Sequence, residues 1–227
     1  MNFLYRHWDK SIELNHEKVN IINFNNSNEL YEFTQNILNE EKCDELFILT
    51  DNNETSSKFS VKENILFISD IFNLDCNDKK IITKFYKFLI KEYADNSQLL
   101  ELEKVLNIKC TDFIKAITAD SNFPIFYEET IDPIDLLKAY NLKFNFQSNN
   151  LFLRLTNIID ILKEFSNIRV VIIPFISELL SENDMHELIN FISINHMYLL
   201  TFNLNKNTSN TSIVIENKIN SENDIIL

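Results

Sequence analysis

The chain has 227 residues, a net charge of −13 and no glycine, where an ordinary composition supplies about 7%. That absence excludes the phosphate-cradling P-loop, the dinucleotide fingerprint, the G-x-S-x-G elbow and the standard EF-hand loop, each of which needs backbone at positive φ or in close approach to a ligand. The excess of acids argues against nucleic acid as a partner, whose binding normally needs a basic surface, unless the positive charge is concentrated in one place.

The 45% hydrophobic content, with 19 phenylalanines, can fill a core, so a folded chain is expected rather than a disordered one. No apolar run approaches the roughly 20 residues that span a bilayer, and Met1 to His7 lack the basic-then-apolar order of a signal peptide, so a soluble cytoplasmic protein is expected. Cys43, Cys76 and Cys110 are widely spaced and odd in number, which points to thiols rather than a disulfide framework or zinc knuckle.

In chain order, Val19 to Phe24 predicts a strand. Asn26, Ser27 and Asn28 can cap a helix whose apolar positions are Leu30, Phe33, Ile37 and Leu38. Leu46 to Leu49 and Ile65 to Ile68 are short apolar runs typical of buried strands, separated by a polar loop from Asp51 to Ser57. From Asn77 the period becomes helical. Ile81, Phe85, Phe88 and Leu89 mark one helix, and Leu99, Leu102, Leu106, Cys110, Phe113 and Ile117 a second, joined through Asp95, Asn96 and Ser97.

After Phe123 the alternation resumes. Asp132 and Pro133 open a helix running to Tyr140, Leu142 to Phe146 reads as a strand, and Leu151, Leu155, Ile158, Leu162 and Phe165 mark a further helix. Arg169 to Phe175 is the strongest buried-strand signal. Ser181 with Asp184 resembles a capping box before Met185, Leu188, Ile189 and Ile192. Met197 to Asn203 and Ser212 to Glu216 complete the predicted strands. The expected fold is α/β, a mostly parallel sheet forming a head of residues 1–75 and 121–227, with an inserted helical lobe of residues 76–120.

Charge follows this division. Residues 1–75 carry 6 basic and 14 acidic side chains and residues 121–227 carry 7 and 13, whereas residues 76–120 carry 8 and 7. Lys80, Lys84, Lys87 and Lys91 step by four, three and four, so they form one stripe along the first lobe helix that can track a phosphate backbone without reading bases. A merely solvated helix face has the same spacing. Lys138, Lys143, Arg154, Lys163 and Arg169 are scattered further positives.

Glu128, Glu129, Asp132 and Asp135 form the best acidic cluster. Their oxygens suit a hard cation with flexible coordination, calcium above magnesium, and equally suit a helix N-terminus decorated for its dipole. The same four carboxylates are what a metal-dependent nuclease or phosphotransferase would use. His186 and Glu187 begin like the zincin helix motif, but Asn190 stands where the second histidine is needed. Nothing singles out a Ser-His-Asp or Cys-His triad.

Three stretches in succession resemble a known family: ILFISDIFNLD over residues 65–75, IDPIDLLKAYNLKF over 131–144, and NIRVVIIPF over 167–175 followed by LSENDMHELINFI over 180–192 and MYLLTF over 197–202. The chain is similar to the Csn-type adaptation proteins of type II-A CRISPR systems. That resemblance implies a P-loop-ATPase-like head without a P-loop, a helical leg, and a homotetrameric ring with a positively charged hole that binds ends of double-stranded DNA during spacer acquisition, without enzymatic activity. It implies other CRISPR adaptation and effector proteins as further partners. It also implies calcium near the junction of head and leg, with Glu128, Glu129, Asp132 and Asp135 at the matching positions, and lysines at the hole, with Lys138 and Lys143 best placed. Asn73 and Asn141 stand where the family tends to have glycine, so both are expected at positive φ, the conformation asparagine tolerates best after glycine.

Overall fold

The computed structural model describes residues 1–51, 58–146 and 148–204. The predicted strand at Ser212 to Glu216 and most of the Asp51 to Ser57 loop lie outside the described residues. The chain divides into two compact units, Met1–Leu74 with Ser148–Leu227, and Asp75–Gln147.

The first unit begins with β1 (Asn2–Tyr5), β2 (Ile12–Glu13), β3 (Val19–Phe24), α1 (Ser27–Leu38), α2 (Cys43–Leu46), β4 (Phe47–Thr50), β5 (Lys58–Phe59), α3 (Val61–Asn64) and β6 (Ile65–Phe67). The second unit holds α4 (Lys79–Ala94), α5 (Ser97–Thr118) and α6 (Pro133–Ala139). The first unit resumes with α7 (Leu151–Glu164), β7 (Val170–Ile172), α8 (Ile176–Leu179), α9 (Glu182–Ile194) and β8 (Tyr198–Leu204).

Among the described residues the first unit is a mixed α/β structure with two sheets. A parallel sheet has the order β3-β8-β7-β6, and an antiparallel one the order β2-β1-β4-β5. The centre of the parallel sheet is covered on both faces: Val170, Val171, Ile172, Leu200 and Phe202 are all fully enclosed, which is why these strands read as continuous apolar runs rather than alternating ones. Asn20, the polar residue of β3 that is wholly buried, is satisfied there. Its amide donates to the Leu199 carbonyl at 2.9 Å and its Oδ1 accepts from the Asn15 N–H at 2.8 Å.

Between the sheets' residues lies an aromatic cluster built around Phe33 of α1. Its ring centroid is 5.1–6.4 Å from those of Phe3, Tyr5, Trp8, Phe24, Phe47 and Phe202, mostly edge to face, the arrangement that ring quadrupoles favour. α1 is capped as its sequence predicts, by Asn26, whose Oδ1 accepts from the Glu29 N–H at 2.7 Å. Of the three cysteines only Cys43 is buried; Cys76 and Cys110 are partly exposed.

The second unit runs to Gln147, beyond the boundary at 120 expected from periodicity. Side chains of α4 and α5 explain the difference by holding the stretch after α5 through its backbone. Asn107 Oδ1 accepts from the Ile131 N–H at 2.8 Å, the Thr111 hydroxyl donates to the Glu129 carbonyl at 3.2 Å, and the Tyr86 hydroxyl donates to the Leu142 carbonyl at 2.8 Å. The strand expected at Leu142 to Phe146 is not formed. Asn77 takes the place of a ladder partner, accepting from the Phe144 N–H at 2.8 Å and donating to the Phe144 carbonyl at 3.1 Å, while the Phe144 ring lies 4.4 Å from that of Phe85.

The positive-φ positions among the described residues are Asn141, Phe175 and His196. Asn141 behaves as its sequence position predicts. It follows α6 at the C′ position, its N–H bonding the Lys138 carbonyl at 2.9 Å while the Leu142 N–H reaches the Leu137 carbonyl at 3.2 Å, the paired bonds of a Schellman motif. His196 closes α9 in the same way, through Ser193 and Ile192. Asn73 is not at positive φ, contrary to expectation: the Asp70 carboxylate accepts the N–H groups of Phe72 and Asn73 at 3.1 Å each, forming the turn by a side-chain bond instead of a left-handed residue.

Candidate nucleic-acid interface

α4 owes its helix to Asp78, which caps it by accepting from the Lys80 N–H at 2.8 Å, and to apolar residues at helical spacing on one side. Tyr86 on that side is buried and Phe85 is partly so. The opposite side carries Lys80, Lys84, Lys87 and Lys91, all exposed. At 100° per residue the four fall within about 60° of one another, over about 16 Å of helix. The structure therefore brings together the stripe read from the sequence. Lys80 has an interaction within the protein, whereas no carboxylate among the described residues pairs with Lys84, Lys87 or Lys91.

The first turn of α4 breaks the usual charge rule. It contains Lys79 and Lys80 and no acid, placing cations against the positive end of the helix dipole, where they are unfavourable by typically 0.3–1 kcal/mol each. The Asp78 carboxylate at the N-cap offsets part of this cost.

The remaining predicted positives are dispersed. Lys143 is exposed. Lys138 is held by Asp135 at 2.7 Å, an i,i+3 pair whose hydrogen bond and charge raise the lysine pKa. Lys163 pairs with Asp160 at 2.8 Å and Asn195 at 2.7 Å, Arg154 donates to the Leu74 carbonyl, and the Arg169 guanidinium lies 4.1 Å over the Phe59 ring. The last three serve contacts of the first unit.

The acidic set is not assembled. Asp132 Oδ1 is spent as the cap of α6, accepting from the Ile134 N–H at 2.8 Å, and Asp135 is spent on Lys138. Glu128 and Glu129 instead border a groove of about 430 Å³ whose other walls include Phe113, Ile114, Tyr127 and Ile131. Among the described residues no three His, Cys, Asp or Glu side chains gather in a way that could hold a metal ion. As arranged, these residues do not fit calcium, which takes 6–8 oxygen ligands, nor do they supply the ligand set of a metal-dependent nuclease. His186 and Glu187 are exposed beside buried Leu188 on α9, so the zincin-like fragment is a solvent face.

At the start of α1, where a phosphate-binding loop would sit in a nucleotide-binding α/β protein, the chain occupies its own helix end. The Asn26 amide also donates to the Glu29 carboxylate at 3.3 Å, leaving an acid where a phosphate would have to approach. No helix among the described residues is long and apolar enough to cross a membrane.

Fold and surface thus define an α/β protein with a separate helical unit bearing a lysine face. The family described as CRISPR-associated protein (Cas_Csn2) matches residues 38–219, and the chain belongs to it. No curated protein matches the chain.

Proposed function

We propose that this CRISPR-associated protein binds double-stranded DNA without regard to sequence, through the lysine face of α4, and so assists the capture of new spacers without itself catalysing a reaction. The observation that carries the proposal is the line of Lys84, Lys87 and Lys91, exposed and without carboxylate partners among the described residues. An overall charge of −13 is compatible with this, because a concentrated basic surface attracts phosphates locally while acids elsewhere face solvent. Lys80, exposed on the same side of α4, belongs to this face; Lys138 and Lys143 enter the proposal through the resemblance in sequence alone.

The proposal includes a homotetrameric ring, working in the cytoplasm with other CRISPR adaptation and effector proteins, with a P-loop-ATPase-like head from which the helical unit emerges as an inserted leg. These features rest on the resemblance in sequence. Calcium rests on that resemblance and on residue type alone, so no step of DNA binding is routed through it.

A mobility-shift assay compares linear and closed-circular duplex at several salt concentrations. Linear duplex is expected to bind at low salt, with log K falling by about 0.9 per phosphate neutralised for each decade of salt, and closed circles are expected to bind more weakly if an end must enter a ring. Absence of binding to linear duplex at low salt, with and without calcium, overturns the proposal.

A further inference from the structure

The surface of the first unit has an open cavity of about 620 Å³ lined by Lys58, Phe59, Ser60, Glu63, Asn64, Asn167, Ile168, Arg169 and His196, most of whose polar side chains are exposed. Its residues come from the edge strand β5, from α3, and from the segments that lead into β7 and β8. It therefore lies at the amino ends of β7 and β8, opposite the carboxyl-end crevice that parallel α/β sheets ordinarily use.

The side chains around this cavity have unspent hydrogen-bonding capacity. Among the described residues the Arg169 guanidinium, the Lys58 ammonium, the Asn167 amide and the His196 imidazole have no hydrogen-bonding or ion-pair partner within the protein. Arg169 is nonetheless held in place. Its N–H donates to the Asn64 carbonyl at 2.8 Å, its carbonyl accepts from the Tyr198 N–H at 2.8 Å, and its guanidinium lies over Phe59. A guanidinium on an anchored backbone and stacked on a ring, with none of its donors engaged by the described residues, is available for bidentate contact with a phosphate, and a nearby ammonium adds a point charge. Glu63 is the carboxylate of the lining, an acceptor for hydroxyl groups.

We propose that this cavity binds a phosphate monoester carried on a sugar, with Arg169 and Lys58 on the phosphate and Glu63 on a sugar hydroxyl. A volume of this size admits a ligand as large as a mononucleotide. The same chemistry is presented by a free nucleotide and by the 5′-phosphorylated end of a DNA strand. The site is separate from the lysine face of α4, and neither proposal depends on the other.

The test uses the full chain, with AMP and adenosine as probes in titration calorimetry. AMP is expected to bind at least about tenfold more tightly than adenosine, and Arg169→Gln and Lys58→Gln each to weaken AMP about tenfold or more, with adenosine unchanged. Two variants are used so that a folding defect in one, visible as a lost thermal transition, leaves the other decisive. Anisotropy with 5′-phosphorylated and 5′-hydroxyl duplexes separates the sources. A preference for the phosphorylated end that Arg169→Gln abolishes identifies the DNA end, and AMP binding without such a preference identifies the free nucleotide. Equal affinity for AMP and adenosine, no AMP binding, or variants indistinguishable from the parent overturn the proposal. Glutamine at 84, 87 and 91 leaves AMP binding intact, so loss of one activity does not mimic loss of the other.

Discussion

Replacing Lys84, Lys87 and Lys91 together by glutamine tests the lysine face quantitatively. Each lysine in phosphate contact contributes a slope of about −0.9 in a plot of log K against log salt, so removing three contacts flattens that slope by about 2.7. Taking the electrostatic contribution to vanish near 1 M salt, the loss at 0.1 M is about 2.7 decades, roughly 500-fold or about 3.7 kcal/mol. The substitution leaves no carboxylate orphaned, because none among the described residues pairs with these lysines. Glutamine is also a good helix former, so stability is expected to stay within about 0.5 kcal/mol of the parent. Fluorescence anisotropy of a labelled linear duplex from about 0.05 to 0.3 M salt reads both slope and affinity. The control is glutamine at Lys104, Lys109 and Lys115 on α5, which removes the same charge from another exposed helix and is expected to shift the slope far less. Parallel salt plots for parent and α4 variant, or equal losses in the two variants, refute the reasoning.

Phe33→Ala removes the centre of the aromatic cluster and is expected to cost about 3–5 kcal/mol, since rigid rings collapse poorly into a cavity; a denaturant midpoint unchanged from the parent contradicts this. Asn141→Val puts a β-branched residue at φ 49 and is expected to lose about 1–2 kcal/mol of thermal stability or more, whereas Asn141→Gly costs little. Asp132→Asn keeps a good cap while removing a charge, so the melting temperature should hold; a drop in calcium affinity by calorimetry would show that the acids gather around an ion after all. Burial and the hydrogen bond with Glu103 push the Tyr93 hydroxyl up to about 12. Its contribution to stability is complete below the unfolded value near 10 and is lost as pH rises through about 12; ultraviolet titration should find it among the last tyrosines to ionise, and Glu103→Gln should bring it down.

The helices were legible because their signals are local. Asn26, Asp132 and Ser181 cap the helices that their positions announced, Asp78, Asn96 and Asn150 cap three more whose apolar periodicity was read without their caps, and the 4-3-4 step of lysines fixes a face whatever surrounds it. The antiparallel sheet was not legible. β2 and β5 are two residues long, too short for alternation to register, and Phe47 to Thr50 reads the same in either kind of sheet. Leu142 to Phe146 misled because alternation records only which side chains are covered, whereas a strand also needs a backbone partner, and Asn77 had already taken that role. For the acids, sequence spacing showed that Asp132 and Asp135 lie within a turn but not that a cap and an ion pair engage their oxygens. The cavity around Arg169 draws on residues 58–64, 167–169 and 196, and no local pattern connects them.

The placement of β8 has a consequence for synthesis. This strand pairs with both β3 and β7, yet it comes last among the described strands. Residues 19–24 therefore have no partner in the parallel sheet until residues 198–204 have been made, an interval of about 10–35 s at ordinary translation rates. During that time an apolar strand with open edges is exposed to other nascent chains, while the contiguous second unit can already have folded. Production of this protein is therefore expected to depend on holdase chaperones and to improve at slower growth temperatures, even though the centre of the finished sheet is enclosed.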